Sequence, residues 1–193
     1  MDTKELIVVC GLARCGTSLL MKMLHQGGIE PFCDPPSLGY GYEYHATLYL
    51  PNKTEWLDNS EGKAVKILDP HRLRLPDDRP YAFILLTRDF REQAKSHVKF
   101  LKALGLSVTR QHRSRLEESL REDLPIVESL LDSYSQSRIL RLPFERVIAD
   151  PLGASTDLDD FLQRSDFDML KAAQCVLRRS SKCLPYLLEM EAA

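Results

Sequence analysis

The chain has 193 residues, 44% hydrophobic and 28% charged, with a formal net charge of −2 at pH 7 and a mean hydropathy of −0.27. That length suits one well-buried domain and is short for two. The near-neutral balance excludes a global field that would gather nucleic acid or an anionic membrane, so any anion site has to be local. The five cysteines are irregularly spaced, and two of them, Cys10 and Cys15, flank a glycine-rich loop. This usage points to reduced thiols in a cytoplasmic protein and away from a disulfide framework. The apolar runs are too short to span a bilayer, and the N-terminus has no signal-peptide core.

Leu6 to Cys10 is an all-apolar, β-branched run, the pattern of a strand covered on both faces. Thr17 to Gln26 reads as a helix with an apolar stripe of Leu19, Leu20, Met23 and Leu24, ended by Gly27-Gly28. Residues 30–62 are rich in proline and tyrosine and lack periodicity. They predict an irregular excursion across the mouth of a sheet, with a short helix in 43–50. Ala64 to Leu68 and Tyr81 to Thr87 are further strands. Phe90 to Leu104 predicts a helix, and 108–135 a second one bent or broken near Pro125. Arg138 to Leu142 predicts a fourth strand, followed by short helices over 143–149, 156–162 and 167–177. Strands alternating with helices imply a single α/β domain, a P-loop-type parallel sheet flanked by helices on both faces.

The loop Gly11-Leu12-Ala13-Arg14-Cys15-Gly16-Thr17-Ser18 sits between the first strand and the first helix. It has the glycine spacing of a Walker A phosphate loop, with Thr17 where that motif needs lysine. Converging backbone N–H groups and the positive end of the following helix still suit an anion. Gly16 allows close approach of the backbone, and Thr17 and Ser18 offer hydroxyls. Without the lysine that reaches the β/γ-phosphates, ordinary ATP or GTP hydrolysis is disfavoured. Arg14 supplies a cation with a planar donor fork instead.

Val9 to Leu20 resembles the 5′-phosphosulfate loop of sulfotransferases, G-x-[PA]-[RK]-S-G-T-[TS]-L-L, with Cys15 in place of the usual serine. Arg88 to Ser96, directly after the strand Tyr81–Thr87, resembles the family's 3′-phosphate motif, with Phe90 replacing a proline. Looser echoes are Gly39-Tyr40-Gly41-Tyr42-Glu43, a segment that brings a carboxylate to the sulfuryl group in some branches, and Lys63 to Ile67, a strand whose lysine points into the site. Phe144 to Pro151 with Phe161-Leu162 resembles a late stretch of the family and reads as scaffold. The resemblance covers nearly the whole chain. It implies 3′-phosphoadenosine 5′-phosphosulfate (PAPS) as donor, adenosine 3′,5′-bisphosphate (PAP) as product and no metal. It further implies a small-molecule or glycan acceptor, with an acceptor-binding part reduced in a chain short for the family.

On that basis the donor site is Ala13, Arg14, Cys15, Gly16, Thr17, Ser18, Arg88 and Ser96, and the catalytic groups are Arg14, Glu43 and Lys66. Arg14 cannot act as a general acid, because guanidinium keeps its proton. Glu43 is the first choice of base, with His45, His71 and His97 as further options. The basic run Arg178 to Lys182 either closes over the 3′-phosphate or is a cationic helix end. No Cys/His grouping has zinc-ligand spacing. A non-catalytic module that binds a nucleotide or a partner, and a P-loop kinase, are the alternatives. Oligomeric state is not legible.

Overall fold

The computed structural model describes residues 5–34, 42–44, 47 and 55–177. Four strands, β1 (Leu6–Gly11), β2 (Ala64–Leu68), β3 (Tyr81–Thr87) and β4 (Arg138–Pro143), form one sheet in the order β2-β1-β3-β4. All three pairings are parallel. The register sets Val9 between Lys66 on β2 and Ile84 on β3. The first three strands bury both faces, which is why their sequences are apolar throughout instead of alternating.

Successive residues still point to opposite sides, and the core divides accordingly. Ile7, Val9, Ala82, Ile84 and Leu86 pack with α1 (Thr17–Gln26), α4 (Phe144–Ala149), α5 (Pro151–Leu162) and α6 (Met169–Gln174). Leu6, Val8, Cys10, Tyr81, Phe83 and Leu85 pack on the other face with α2 (Phe90–Ala103), α3 (Arg110–Asp132) and a 3-10 turn, Glu55–Asn59. The expected single α/β sheet with helices on both faces is therefore what the chain forms.

Three expectations change. The second long helix is one unbroken element through Pro125. Leu120 before the proline and Val127 and Leu131 after it bury in the same cluster, so packing outweighs the lost N–H. The helix expected over 156–162 starts earlier, at Pro151, because Asp150 caps it by accepting from the Gly153 N–H. Proline suits a first helical position. The helix expected over 167–177 is shorter, Met169–Gln174, and starts where Asp168 accepts from the Leu170 and Lys171 amides. The short helix expected in 43–50 lies outside the described residues apart from 43, 44 and 47.

Candidate active site

β1 ends at Gly11, whose φ is 157°. A Cβ there would meet Cys15 Sγ at 2.5 Å and the Leu86 carbonyl oxygen at 2.6 Å. The chain then turns and enters α1 through Gly16 at φ 115°, where a Cβ would sit 2.3 Å from the Phe144 ring. Both glycines are thus required by backbone geometry and by space. The start of α1 has no side-chain cap and no acid in its first turn. By contrast α2, α3, α5 and α6 are capped by Asp89, Thr109, Asp150 and Asp168. First-turn amides have no carbonyl four residues back, so α1 presents an uncapped positive end.

Arg14 is held at φ 73°, an uncommon conformation for a residue with a side chain. Four hydrogen bonds hold its neighbourhood there. The Ala13 N–H donates to Asp69 Oδ1 at 3.1 Å. The buried Gln93 side chain donates through Nε2 to the Leu12 and Ala13 carbonyls at 3.1 and 2.9 Å. Arg88 Nη1 donates to the Arg14 carbonyl at 3.0 Å. Asp69 is itself left-handed, at φ 49°. Strain of this kind persists only where the surroundings over-determine it.

Four charged side chains sit round this loop. The Arg14 guanidinium lies 4.9 Å from the Phe100 ring centre, with Nη2 3.5 Å from Ser96 Oγ. Arg88 is buried and stacks on Phe144 at 4.6 Å. Burial pulls its pKa down from the ordinary value, with Glu145 the main opposing charge. Its Nε is buried with no hydrogen-bond partner among the described residues. Lys66, only 2% exposed, donates to Ser18 Oγ at 3.0 Å and forms an ion pair with Glu43. The other oxygen of that carboxylate, Oε2, is buried with no hydrogen bond among the described residues.

The structure therefore brings Arg14, Ser18, Glu43, Lys66, Arg88 and Ser96 to the C-terminal side of β1–β3, where open α/β sheets bind ligands. Thr17 is buried at the start of α1. Two loop positions look inward. The Ala13 amide is committed to Asp69, and the Cys15 side chain lies wholly in the core. Burial pushes the Cys15 thiol up to about 12, against the Thr17 amide and the Lys66 and Arg88 charges. It is no nucleophile at neutral pH.

His97 is on α2, one residue past Ser96. Burial and then the Arg14 charge lower its pKa, so it stays neutral. His71 lies in a 3-10 turn, Pro70–Arg72, with Nδ1 buried and lacking a hydrogen bond among the described residues. His45, Gly39-Tyr40-Gly41 and the Arg178 to Lys182 run lie outside the described residues.

Two residues that shape the loop were not anticipated, Asp69 and Gln93. Asp69-Pro70 is a turn dipeptide directly after a strand. Gln93 precedes Ser96 by three positions and shares its helix face. Among the described residues no group of three or more His, Cys, Asp or Glu could hold a metal ion. Among them, too, no helix is long and apolar enough to cross a membrane.

No family model matches the sequence, and no curated protein sequence matches it either. Solved structures do match. A retinol dehydratase in complex with androsterone and the inactive cofactor PAP superposes with a TM-score of 0.54 at 17% identity, over 88% of this chain and 62% of that one. A mouse sulfotransferase complexed with PAP gives 0.58 at 14% identity, over 89% and 64%. A sulfotransferase from Alicyclobacillus acidocaldarius gives 0.56 at 16% identity, over 86% and 84%. The chain spans a little under two thirds of the length of the first two. An open parallel α/β sheet with a glycine-bounded loop after its first strand is the class of fold. More narrowly, it is the sulfotransferase fold.

Proposed function

We propose that the chain transfers a sulfuryl group from PAPS to a hydroxyl or amine of a small-molecule or glycan acceptor. One observation carries this reading. Arg88 donates to the backbone of Arg14, 74 residues away in sequence, and Arg14 reaches Ser96. Two anion-type motifs thereby meet at one place, and the first of them, the loop Gly11–Ser18, lacks the lysine of a triphosphate site. A donor bearing anions at two ends of an adenosine suits this arrangement better than a triphosphate chain. The solved structures with PAP have the same fold.

The residues present fit such a donor. The uncapped first turn of α1, with the Thr17 and Ser18 hydroxyls, would hold the 5′-phosphate. Arg88 and Ser96 would hold the 3′-phosphate, and Arg88 Nε is a buried donor with no partner among the described residues. PAPS supplies the activated sulfuryl group and a phosphate leaving group. Arg14 and Lys66 supply fixed positive charge where negative charge builds on the bridging oxygen, the kind of preorganised stabilisation that dominates such transfers. Glu43 accepts the proton of the acceptor hydroxyl or amine, and the ion pair with Lys66 holds its carboxylate in place. The placement is cytoplasmic on the strength of thiol usage. Cys10, Cys15, Cys33 and Cys175 are all free.

The test is thermal stabilisation by PAP against ATP and ADP, since a ligand of the native state raises stability by mass action. PAP is expected to stabilise most. A clear shift with ATP and none with PAP would overturn the reading. PAP binding without sulfate transfer to any of a panel of phenols, alcohols, amines and glycans would favour the non-catalytic alternative.

A further inference from the structure

α2 and α3 form an antiparallel helical hairpin, with Arg121 of α3 stacked 4.9 Å from the Phe90 ring at the start of α2. The hairpin outgrows the core. On α2 the buried residues are Gln93 and Ala94, at its beginning. On α3 the first buried residue is Leu120, ten residues in. Leu116 of α3 still packs on the core and Phe100 of α2 meets Arg14, so the end of the hairpin, with residues 102–107 all exposed, is what stands out as an arm.

The tip of this arm is ordered and unusual in composition. α2 ends in a Schellman turn, with Gly105 N–H donating to the Lys102 carbonyl at 2.9 Å and Leu106 N–H to the Leu101 carbonyl at 3.0 Å. A capping box between Thr109 and His112 opens α3. Between them Leu104 and Leu106 are 61% and 54% exposed, on a turn whose residues 102–107 are all exposed. No Asp or Glu occurs between Glu92 and Glu117. That interval carries Lys95, which pairs with Glu92, and then Lys99, Lys102, Arg110, Arg113 and Arg115, in a chain of net charge −2. Arg110 and Arg113 stand in the first turn of α3, where the helix dipole disfavours cations. Local helix stability therefore does not account for them.

We infer that this tip is a docking surface for an anionic membrane. Two exposed leucines with cations on either side of them in sequence, Lys102 before and Arg110 after, fit a lipid surface with acidic headgroups. The leucines enter the apolar boundary, and the Lys and Arg stems run along it with their charges at the headgroups. A hydrophilic polyanion such as RNA or a sulfated glycan would use the cations and leave the leucines without a role. The same helix carries Ser96 and, nearer the tip, Phe100, both against Arg14. Docking thus sets the candidate active site one to two helical turns from the lipid surface. The inference stands on the tip alone and does not depend on the reaction proposed above.

The test is co-flotation of the full chain with phosphatidylcholine vesicles, with and without about 30 mol% phosphatidylserine, at low and high salt. The chain is expected to float only with the acidic vesicles and to be released by salt. The pair Leu104→Ser with Leu106→Ser and the pair Lys102→Glu with Arg110→Glu are each expected to weaken binding by about tenfold or more. All four residues are exposed, and unchanged circular dichroism and urea unfolding verify folding. Absence of binding to acidic vesicles would overturn the inference. So would loss of binding in the charge pair with none in the leucine pair, or retention on immobilised heparin as the sole interaction, since either marks a polyanion site.

Discussion

Arg88 Nη1 donates to the carbonyl oxygen of Arg14 at 3.0 Å. A side chain at the end of β3 thereby fixes the backbone of a residue in the loop after β1. The Nε of that guanidinium is buried and has no hydrogen-bond partner among the described residues. Charge-assisted hydrogen bonds of this sort contribute about 1.5–3 kcal/mol each. Arg88→Ala is expected to abolish the preference for PAP over adenosine 5′-monophosphate, a loss of about 10–100-fold in PAP affinity. Isothermal titration with both nucleotides checks it, and an unchanged ratio would remove Arg88 from the site.

Glu43→Gln keeps the size of the side chain and removes its basicity. If Glu43 takes the acceptor's proton, turnover falls by about 10²–10⁴-fold while PAP affinity stays within a few-fold. Steady-state sulfate transfer together with a PAP titration separates the two quantities. Full activity in the variant would move the base to His97 or His71.

Gly16→Ala places a methyl 2.3 Å from the Phe144 ring on a backbone at φ 115°. The cost is of order 1–3 kcal/mol for the backbone alone. Urea unfolding is expected to show that loss or more, and PAP stabilisation should shrink with it. A variant as stable as the parent would mean that Phe144 moves freely, contrary to its full burial.

Gln93→Leu withdraws two donors from the Leu12 and Ala13 carbonyls in a buried place. The expected destabilisation is about 1–3 kcal/mol. PAP affinity is expected to fall as well, because Arg14 loses one of the restraints on its left-handed backbone. A stability loss with intact PAP affinity would limit Gln93 to a structural part.

His97 has a pKa below its ordinary value in the folded chain, through burial and then Arg14. The unfolded chain therefore binds more protons as the pH drops through the ordinary histidine range. Its contribution is fully present above the unfolded pKa near 6.5 and is lost as the pH falls toward the folded pKa. His97→Gln is expected to reduce the stability difference between about pH 5 and pH 7.5. Urea melts at both values test this, and equal differences in parent and variant would refute it.

Much of the fold was legible because its signals are local. Leu6–Gly11 and Tyr81–Thr87 are unbroken apolar runs, and such runs belong to strands with two covered faces. The loop and its missing lysine were equally plain, being contiguous. Less legible were features decided by residues distant in sequence. Nothing near Pro125 says that Leu120, Val127 and Leu131 will anchor one continuous helix. Nothing near Gln93 says that its amide will face the Leu12 carbonyl, 81 residues earlier. The Glu43–Lys66 ion pair joins an irregular segment to a strand. A segment without periodicity offers no local rule for where its carboxylate will point.

Cys15 lies in the loop after β1 with its side chain fully buried, and burial raises its thiol out of the reactive range. An alkylating reagent can reach it only when the loop opens. With Cys10 replaced by alanine and Cys33, Cys175 and Cys183 by serine, the rate of alkylation becomes a clock for loop opening. Any ligand seated on the loop must slow that clock, whichever nucleotide it is and whether or not a sulfate is ever transferred.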